Sequence, residues 1–339
     1  MTSKERMLSV INGDKPDRIP FSPAIYEHKA ALINLLPSEV CRDTNLLIES
    51  VKTEYKTYHA DILVVGIDIY NIEAEALGCE INYECGTAVP TIKSRILNNS
   101  NLKELNIPNP KKDGRMPLVI KATEEIQQTL GNEVYICAGV SGPFSLASSL
   151  MGDENLLIAL IEKPDYIAEV LNFTTSVCKV YTSAILETGA DVMVFDSASA
   201  PPLISPNQYK EIILPNVKNL FCSLSSNGSK LLSYIVGGNS IEVLEYFIES
   251  GAKNILCDFN ADLTFFLEES KMANISLRKN FNPSTLISKN IEEIEKETLE
   301  ILNQGKDYNR FIFGTGILPY NIDKEKVLKL KNVVSNFQI

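Results

Sequence analysis

Four side chains in this 339-residue chain are of types that move protons or bind metals, and each sits close to a break beside an apolar run: His28, Asp68, Glu73 and Asp196. A carboxyl or imidazole held in a cleft acts as general acid or base, and the same groups ligate metals. Each also has an ordinary use. Asp68 would cap the short helix after it, Glu73 would be a solvated helix residue, His28 a polar surface histidine and Asp196 a loop-stabilising carboxylate. Around them lie groups suited to orienting a ligand: Tyr26, Ser145, Ser149, Tyr234, Asn239, Asp258, Asn280, Thr315 and Tyr320. Cys257 reads as a small core residue, and His59 falls on the wrong side of its strand. The Gly237-Gly238 pair lacks the spacing of a phosphate loop and reads as a tight turn.

These residues are positioned by a repeated alternation of apolar, β-rich runs with helical segments. Predicted strands cover 18–24, 60–65, 134–138, 190–195, 230–236, 255–258, 275–278 and 311–314. Between them the pattern predicts helices over 44–58, 122–130, 241–250, 262–270 and 291–303, with a loop and short helix over 67–77. Another helix follows the Gly142-Pro143 turn, and Ser3 would cap the first helix. Residues 88–115 carry three prolines and little periodicity, and read as an excursion or lid. The grammar is that of an α/β chain forming a single (β/α)8 TIM-type barrel with an N-terminal helical extension, one domain over 1–339. Chemistry in such barrels sits on the loops after the strands. The expected cleft is therefore lined around 26–28, 68–73, 142–149, 196, 234–239, 257–258, 280 and 315–320.

Composition narrows the classes. A net charge of −11 disfavours a nucleic-acid partner, because phosphate contacts dominate such affinities. No apolar run reaches the ~18 residues of a membrane span. Seven cysteines without a CxxC pair suggest reduced thiols in a cytoplasm.

Several segments in order carry a family resemblance: GPFSLASSLMG (142–152), ETGADVMVFDSASA (187–200), LISPNQYKEIILP (203–215), KERMLSVINGDKPDRIPF (4–21), GIDIYNIEAEALGCEINY (66–83), RKNFNPSTLI (278–287) and FGTGILPYNID (313–323). Together they resemble the uroporphyrinogen decarboxylase superfamily, nearest its corrinoid-dependent, methylcobamide:coenzyme M type methyltransferases. The resemblance implies a barrel acting on a small methylated substrate together with a cobalamin-carrying protein that caps the mouth. The chain itself would be a monomer or homodimer.

That branch uses zinc held by His-x-Cys and a later Cys to keep a thiolate reactive. The matching segment here is LLSYIVGGNS (231–240). One register places Tyr234 and Val236 on the ligand positions, the other Ile235 and Gly237, and the later cysteine position is Thr315. None is a zinc ligand, so the usual metal site is absent and no metal ligands are assigned. The decarboxylase branch uses N-terminal arginines, an aspartate, a tyrosine and a late histidine. Here SPAIYEHKA (22–30) has no arginine, the tyrosine position falls at about Ser149, and the histidine position is again Thr315; Asp68 alone matches. Three readings follow. The leading one is a corrinoid-linked methyltransferase without the usual zinc site. The others are a uroporphyrinogen decarboxylase and a non-catalytic small-molecule or corrinoid binder.

Overall fold

The structure, a computed structural model, describes residues 1–98 and 101–339; residues 99 and 100, inside the expected excursion, lie outside the described residues. In chain order the strands are β1 (Phe21–Ala24), β2 (Ile62–Val65), β3 (Glu80–Asn82), β4 (Thr91–Ser94), β5 (Tyr135–Ser141), β6 (Asp191–Phe195), β7 (Ser233–Ile235), β8 (Asn254–Cys257), β9 (Ser276–Phe281) and β10 (Phe311–Ile317). Eight of them pair in parallel in the order β1-β10-β9-β8-β7-β6-β5-β2, while β3 and β4 form a separate antiparallel pair. With helices following the strands, this is a nearly closed (β/α)8 barrel preceded by the helix Ser3–Asn12.

Strand residues alternate between two surroundings. Ile62, Val64, Tyr135, Cys137, Met193, Phe195, Ile235, Leu256 and Ile312 meet inside the barrel. Val192, Val194, Tyr234, Ile255, Cys257, Leu277, Phe311 and Phe313 cluster with helix residues such as Leu220, Phe247 and Phe266. The period of two is that of any strand, and it decides which side chains can reach the mouth.

Three strands run past their predicted ends at 138, 278 and 314, to Ser141, Phe281 and Ile317. Their last residues include glycines, a serine and an asparagine, so the apolar pattern fades before the hydrogen-bond ladder does. The expected strand over 230–236 shortens to three residues. The helix expected at 122 already begins at Met116. The first helix is capped by Thr2 rather than Ser3, because Glu5 then falls at N3: Thr2 Oγ1 accepts from the Glu5 amide at 3.1 Å and Glu5 returns the bond at 2.8 Å.

Among the described residues no ladder joins β1 to β2, and this seam is closed by one backbone bond and several side chains. The Asp61 amide donates to the Phe21 carbonyl at 2.8 Å, and its carboxylate accepts the Phe21 amide at 2.7 Å. Arg6 and Arg18 donate to the same carboxylate at 2.5 and 2.8 Å. Higher up, Lys29, from the helix after β1, donates to the Val64 carbonyl of β2 at 2.7 Å and lies 3.3 Å from Glu54. Both members of that ion pair are buried; burial lowers the lysine pKa and raises that of the glutamate. Replacing Lys29 by Met should strand the Glu54 charge and cost roughly 3–5 kcal/mol in urea unfolding, with Lys29→Met/Glu54→Leu recovering most of the loss. A single variant within about 1 kcal/mol of wild type would show that the seam does not depend on this pair.

Candidate functional site

A cavity of about 610 Å³ opens at the C-terminal mouth of the barrel, a volume suited to a small-molecule site. Its apolar wall is aromatic: Tyr26, Tyr70, Phe195 and Phe259 line it, and Phe195 packs edge-on against Tyr26 at 6.1 Å and Tyr70 at 6.4 Å between ring centres. The predicted excursion supplies part of the rim through Val89, Pro90, Thr91, Ile92 and Arg95.

Of the residues singled out from sequence, Tyr26, Asp68, Ser149, Asp258 and Asn280 line this cavity. The others do not, and each has local partners. His28 is buried, with Nδ1 2.9 Å from the Tyr320 carbonyl and Nε2 2.7 Å from the Tyr58 hydroxyl. A carbonyl only accepts, so Nδ1 carries the proton and the ring is a neutral bridge; burial lowers its pKa. Tyr320 itself donates to the Leu35 carbonyl at 3.1 Å. Glu73 is fully buried and accepts from the Ser141 amide at 2.8 Å and its hydroxyl at 3.2 Å. Asp196 accepts from the Ser145 amide at 2.6 Å and the Tyr234 hydroxyl at 3.1 Å, which fastens the end of β6 to the start of the helix Pro143–Met151. A Cβ at Gly142 would collide with that carboxylate, which explains a glycine at that turn. Ser145 Oγ accepts from the Ala198 amide at 3.1 Å, Thr315 Oγ1 accepts from the Ala24 amide at 3.0 Å, and Asn239 is exposed on its loop.

The strand alternation accounts for most of these outcomes. Phe195, Ile235 and Gly316 point inward, so their neighbours Asp196, Tyr234 and Thr315 point away from the cavity. The positions expected to carry zinc ligands follow the same alternation. Ile235 and Gly237 occupy the cavity-facing register and Gly316 lines the opposite side, and none has a donor side chain. Among the described residues no three His, Cys, Asp or Glu side chains converge as a ligand set. The residues present do not fit a His-x-Cys…Cys zinc centre.

Charge in the cavity is distributed unevenly. Asp68 is held by both Nη atoms of Arg115, at 2.9 and 2.7 Å, with Asn71 Nδ2 at 3.2 Å. Asp258 accepts from the Gly238 and Phe259 amides at 2.8 and 2.9 Å and from Asn280 Nδ2 at 3.1 Å. Glu27, in the first turn of the helix Glu27–Ala31, lines the cavity with neither a cation nor a side-chain donor on its carboxyl among the described residues. Its pKa is raised, chiefly by burial. Arg95 and Arg278 also face the cavity, and neither forms an ion pair among the described residues. Sequence reading missed Arg95, Arg115 and Arg278; Glu27 and Tyr70 fell within the expected cleft segments 26–28 and 68–73 but were not singled out. For Arg278 a signal existed: it lies two residues before Asn280, on the same strand face.

Burial also perturbs the two fastening carboxyls, raising Asp196 to about 6 and Glu73 to about 7. A carboxyl with a folded pKa above its unfolded value binds an extra proton when folded, so the stability it contributes is present at low pH and lost as pH rises. For Glu73 the window runs from its ordinary 4.5 up to about 7. Glu73→Gln mimics the protonated form, and its stability relative to wild type should grow across that window by roughly 3 kcal/mol and then level off. Denaturant melts at several pH values test this; a difference that stays flat from pH 4.5 to 7.5 would contradict the raised pKa.

Comparison with known proteins places this geometry. Residues 2–337 match the family model described as uroporphyrinogen decarboxylase (URO-D). A methylcobamide:CoM methyltransferase, MtaA of Methanosarcina barkeri, is 24% identical over 337 residues, 94% of this chain and 93% of that protein. A uroporphyrinogen decarboxylase of Syntrophotalea carbinolica is 24% identical over 291 residues, 83% of this chain and 81% of that protein. A solved methyltransferase from Methanosarcina mazei shares the fold at a TM-score of 0.87, with 21% identity and 99% of each chain covered. Because the match spans residues 2–337 of the 339, the chain belongs to the uroporphyrinogen decarboxylase (URO-D) family.

Proposed function

We propose that this protein is a corrinoid-linked methyltransferase of the cytoplasm. It moves the methyl group of a small substrate bound in the barrel cavity to a cobalamin-carrying protein seated over the mouth, without a zinc-thiolate centre. Relatives that bear the name methylcobamide:CoM methyltransferase support the reaction class. The observation that carries the reading is the contrast among the cavity carboxyls. Asp68 and Asp258 are saturated by donors, whereas Glu27 has no cation and no side-chain donor among the described residues, only its own backbone amide, and its pKa is raised by burial.

Reduced cobalt on the partner would supply the nucleophile, so this chain's task is to bind, orient and activate the leaving group. Demethylation of an oxygen or nitrogen is slow unless the departing atom is protonated, and Glu27 is placed to give it that proton. The proton passes from the Glu27 carboxyl to the leaving oxygen or nitrogen as its bond to the methyl carbon breaks, and Glu27 is left as the carboxylate. Tyr26, Tyr70, Phe195 and Phe259 exclude water from the reacting end and orient the substrate by packing. Large apolar side chains stand exposed on segments at the C-terminal ends of three strands, Leu203 after β6, Ile287 after β9 and Ile317 at the end of β10. They suit a partner that covers the mouth. A tetrapyrrole decarboxylase is the second reading, favoured by Arg95 and Arg278 in the cavity, although SPAIYEHKA lacks arginine.

Methyl transfer to reduced cobalamin from a panel of methyl ethers and methylamines tests the reading, with uroporphyrinogen turnover as the competing assay. Wild type should transfer methyl, and Glu27→Gln should lose roughly 10²-fold in kcat with little change in substrate affinity. Equal rates in the variant would remove Glu27 as the acid. Coproporphyrinogen formation without methyl transfer would replace the reaction altogether.

A further inference from the structure

Arg278 is buried to 4% exposure on β9, and its guanidinium faces the cavity without a carboxylate partner among the described residues. Buried charges are ordinarily paired, because an isolated ion in the interior forfeits its hydration. Only two protein acceptors reach it among the described residues, Asn280 Oδ1 at Nε and the Thr315 carbonyl at Nη2, both at 3.2 Å. A guanidinium has five N–H donors, and here Nη1 donates to no protein atom among the described residues. Asp258 is the nearby anion that would normally answer such a charge, yet Asn280 stands between them: its Oδ1 takes the Arg278 donor and its Nδ2 donates to Asp258 at 3.1 Å. Asp258 is then completed by two backbone amides. The network holds the guanidinium in orientation, and Asp258 acts on its charge across Asn280 without a direct contact.

The neighbouring strand makes room for it. A Cβ at Gly314 of β10 would run into Arg278 Nε and Cζ and lie 2.8 Å from the Ser22 carbonyl oxygen, so a residue without a side chain is needed for the guanidinium to fit inside the barrel. A second guanidinium, Arg95 on the rim, lines the same cavity with a buried Nε that finds no acceptor among the described residues. Two guanidiniums without a carboxylate contact among the described residues face one cavity, in which Asp68 and Asp258 are engaged by other donors.

We propose that Arg278 is the anchor for an anionic head group, a carboxylate or a sulfonate, carried by the substrate, with Arg95 as a second cationic contact at the rim. A planar fork of donors matches such oxyanions through paired hydrogen bonds. The substrate class is thus a small methylated acid, with the anion at Arg278 and the methyl-bearing end toward Glu27 and the mouth. The anchor rests on reading the cavity as the substrate site; that the acid is methylated, with its methyl end toward Glu27, rests on the methyltransferase reading.

Calorimetric titration of the full-length protein tests it with three probes: methoxyacetate, 2-methoxyethanesulfonate and the neutral methoxyacetamide. At least one anion should bind ~10-fold or more tightly than the amide, and which one does tells a planar from a tetrahedral head group. Arg278→Met should abolish the preference, and Gly314→Ala should weaken it by displacing the guanidinium. Arg278→Lys keeps the charge without the fork and should retain part of it. Because Arg278→Met replaces an unpaired buried charge with an apolar chain, its melting temperature should equal or exceed that of wild type; a fall of several degrees would mark Arg278 as structural and overturn the assignment. Equal binding of anions and amide by wild type, or a preference that survives in Arg278→Met, overturns it as well. If the preference is present and lost in Arg278→Met while no donor passes methyl to reduced cobalamin, the anchor stands and the methyltransferase reading falls. If methoxyacetate is demethylated equally well by wild type and Arg278→Met, the reaction stands and the anchor falls.

Discussion

Asp61 is the residue on which the barrel's closure depends. Seven ladders join eight strands, which leaves one seam where backbone groups of β1 and β2 would otherwise lack partners. Asp61 meets Phe21 with both its amide and its carboxylate, and two arginines neutralise the charge this introduces. Lys29 repeats the device nearer the mouth by reaching the Val64 carbonyl. The register between β1 and β2 is thereby set from both ends. With it is set the position of Tyr26 and Glu27, which follow β1, relative to Asp68 and Tyr70, which follow β2. The cavity is built across that same seam.

Given closure, the alternation of each strand sorts the chemistry-bearing residues. An inward side chain near a strand's C-terminal end reaches the cavity, and its neighbour reaches the helices. Asp196 faces the helices, and Glu73, buried below the mouth on its short helix, is likewise turned from the cavity. Both fasten strand ends to the elements above them through backbone amides and hydroxyls. Asp258, Arg278 and Asn280 fall on the inward side and form one network. A shift of one position between related sequences is enough to turn a ligand position into a packing position.

The fold was largely legible in the chain. Apolar β-rich runs bounded by glycine, proline and helical segments give the order of strands and helices, because a doubly covered parallel sheet must be apolar on both faces. The predicted strand ends were less accurate at 138, 278 and 314, where the ladder continues under polar and small residues. That error concealed Arg278: a strand stopped at 278 shows no shared face with Asn280. The early end at Gly314 similarly left Thr315 as a loop donor when it is a strand residue turned outward. His28 and Glu27 are adjacent in the chain, and the turn of one short helix sends the first into a buried bridge and leaves the second in the cavity.

The amino-acid sequence by itself determined the barrel, its family and the loops that could carry a site, because those follow from periodicity, turn residues and short motifs that are local. It also showed that the segment 231–240 carries no His-x-Cys pair, since this is a matter of residue identity. Which carboxyls stay unanswered, which guanidiniums lack partners and which face each side chain takes were decided by tertiary structure. Those properties depend on neighbours distant in the chain, such as Asp68 with Arg115, Asp258 with Asn280 and Arg278 with Gly314. A charge is satisfied or left free only once the elements that carry its partners have closed around it.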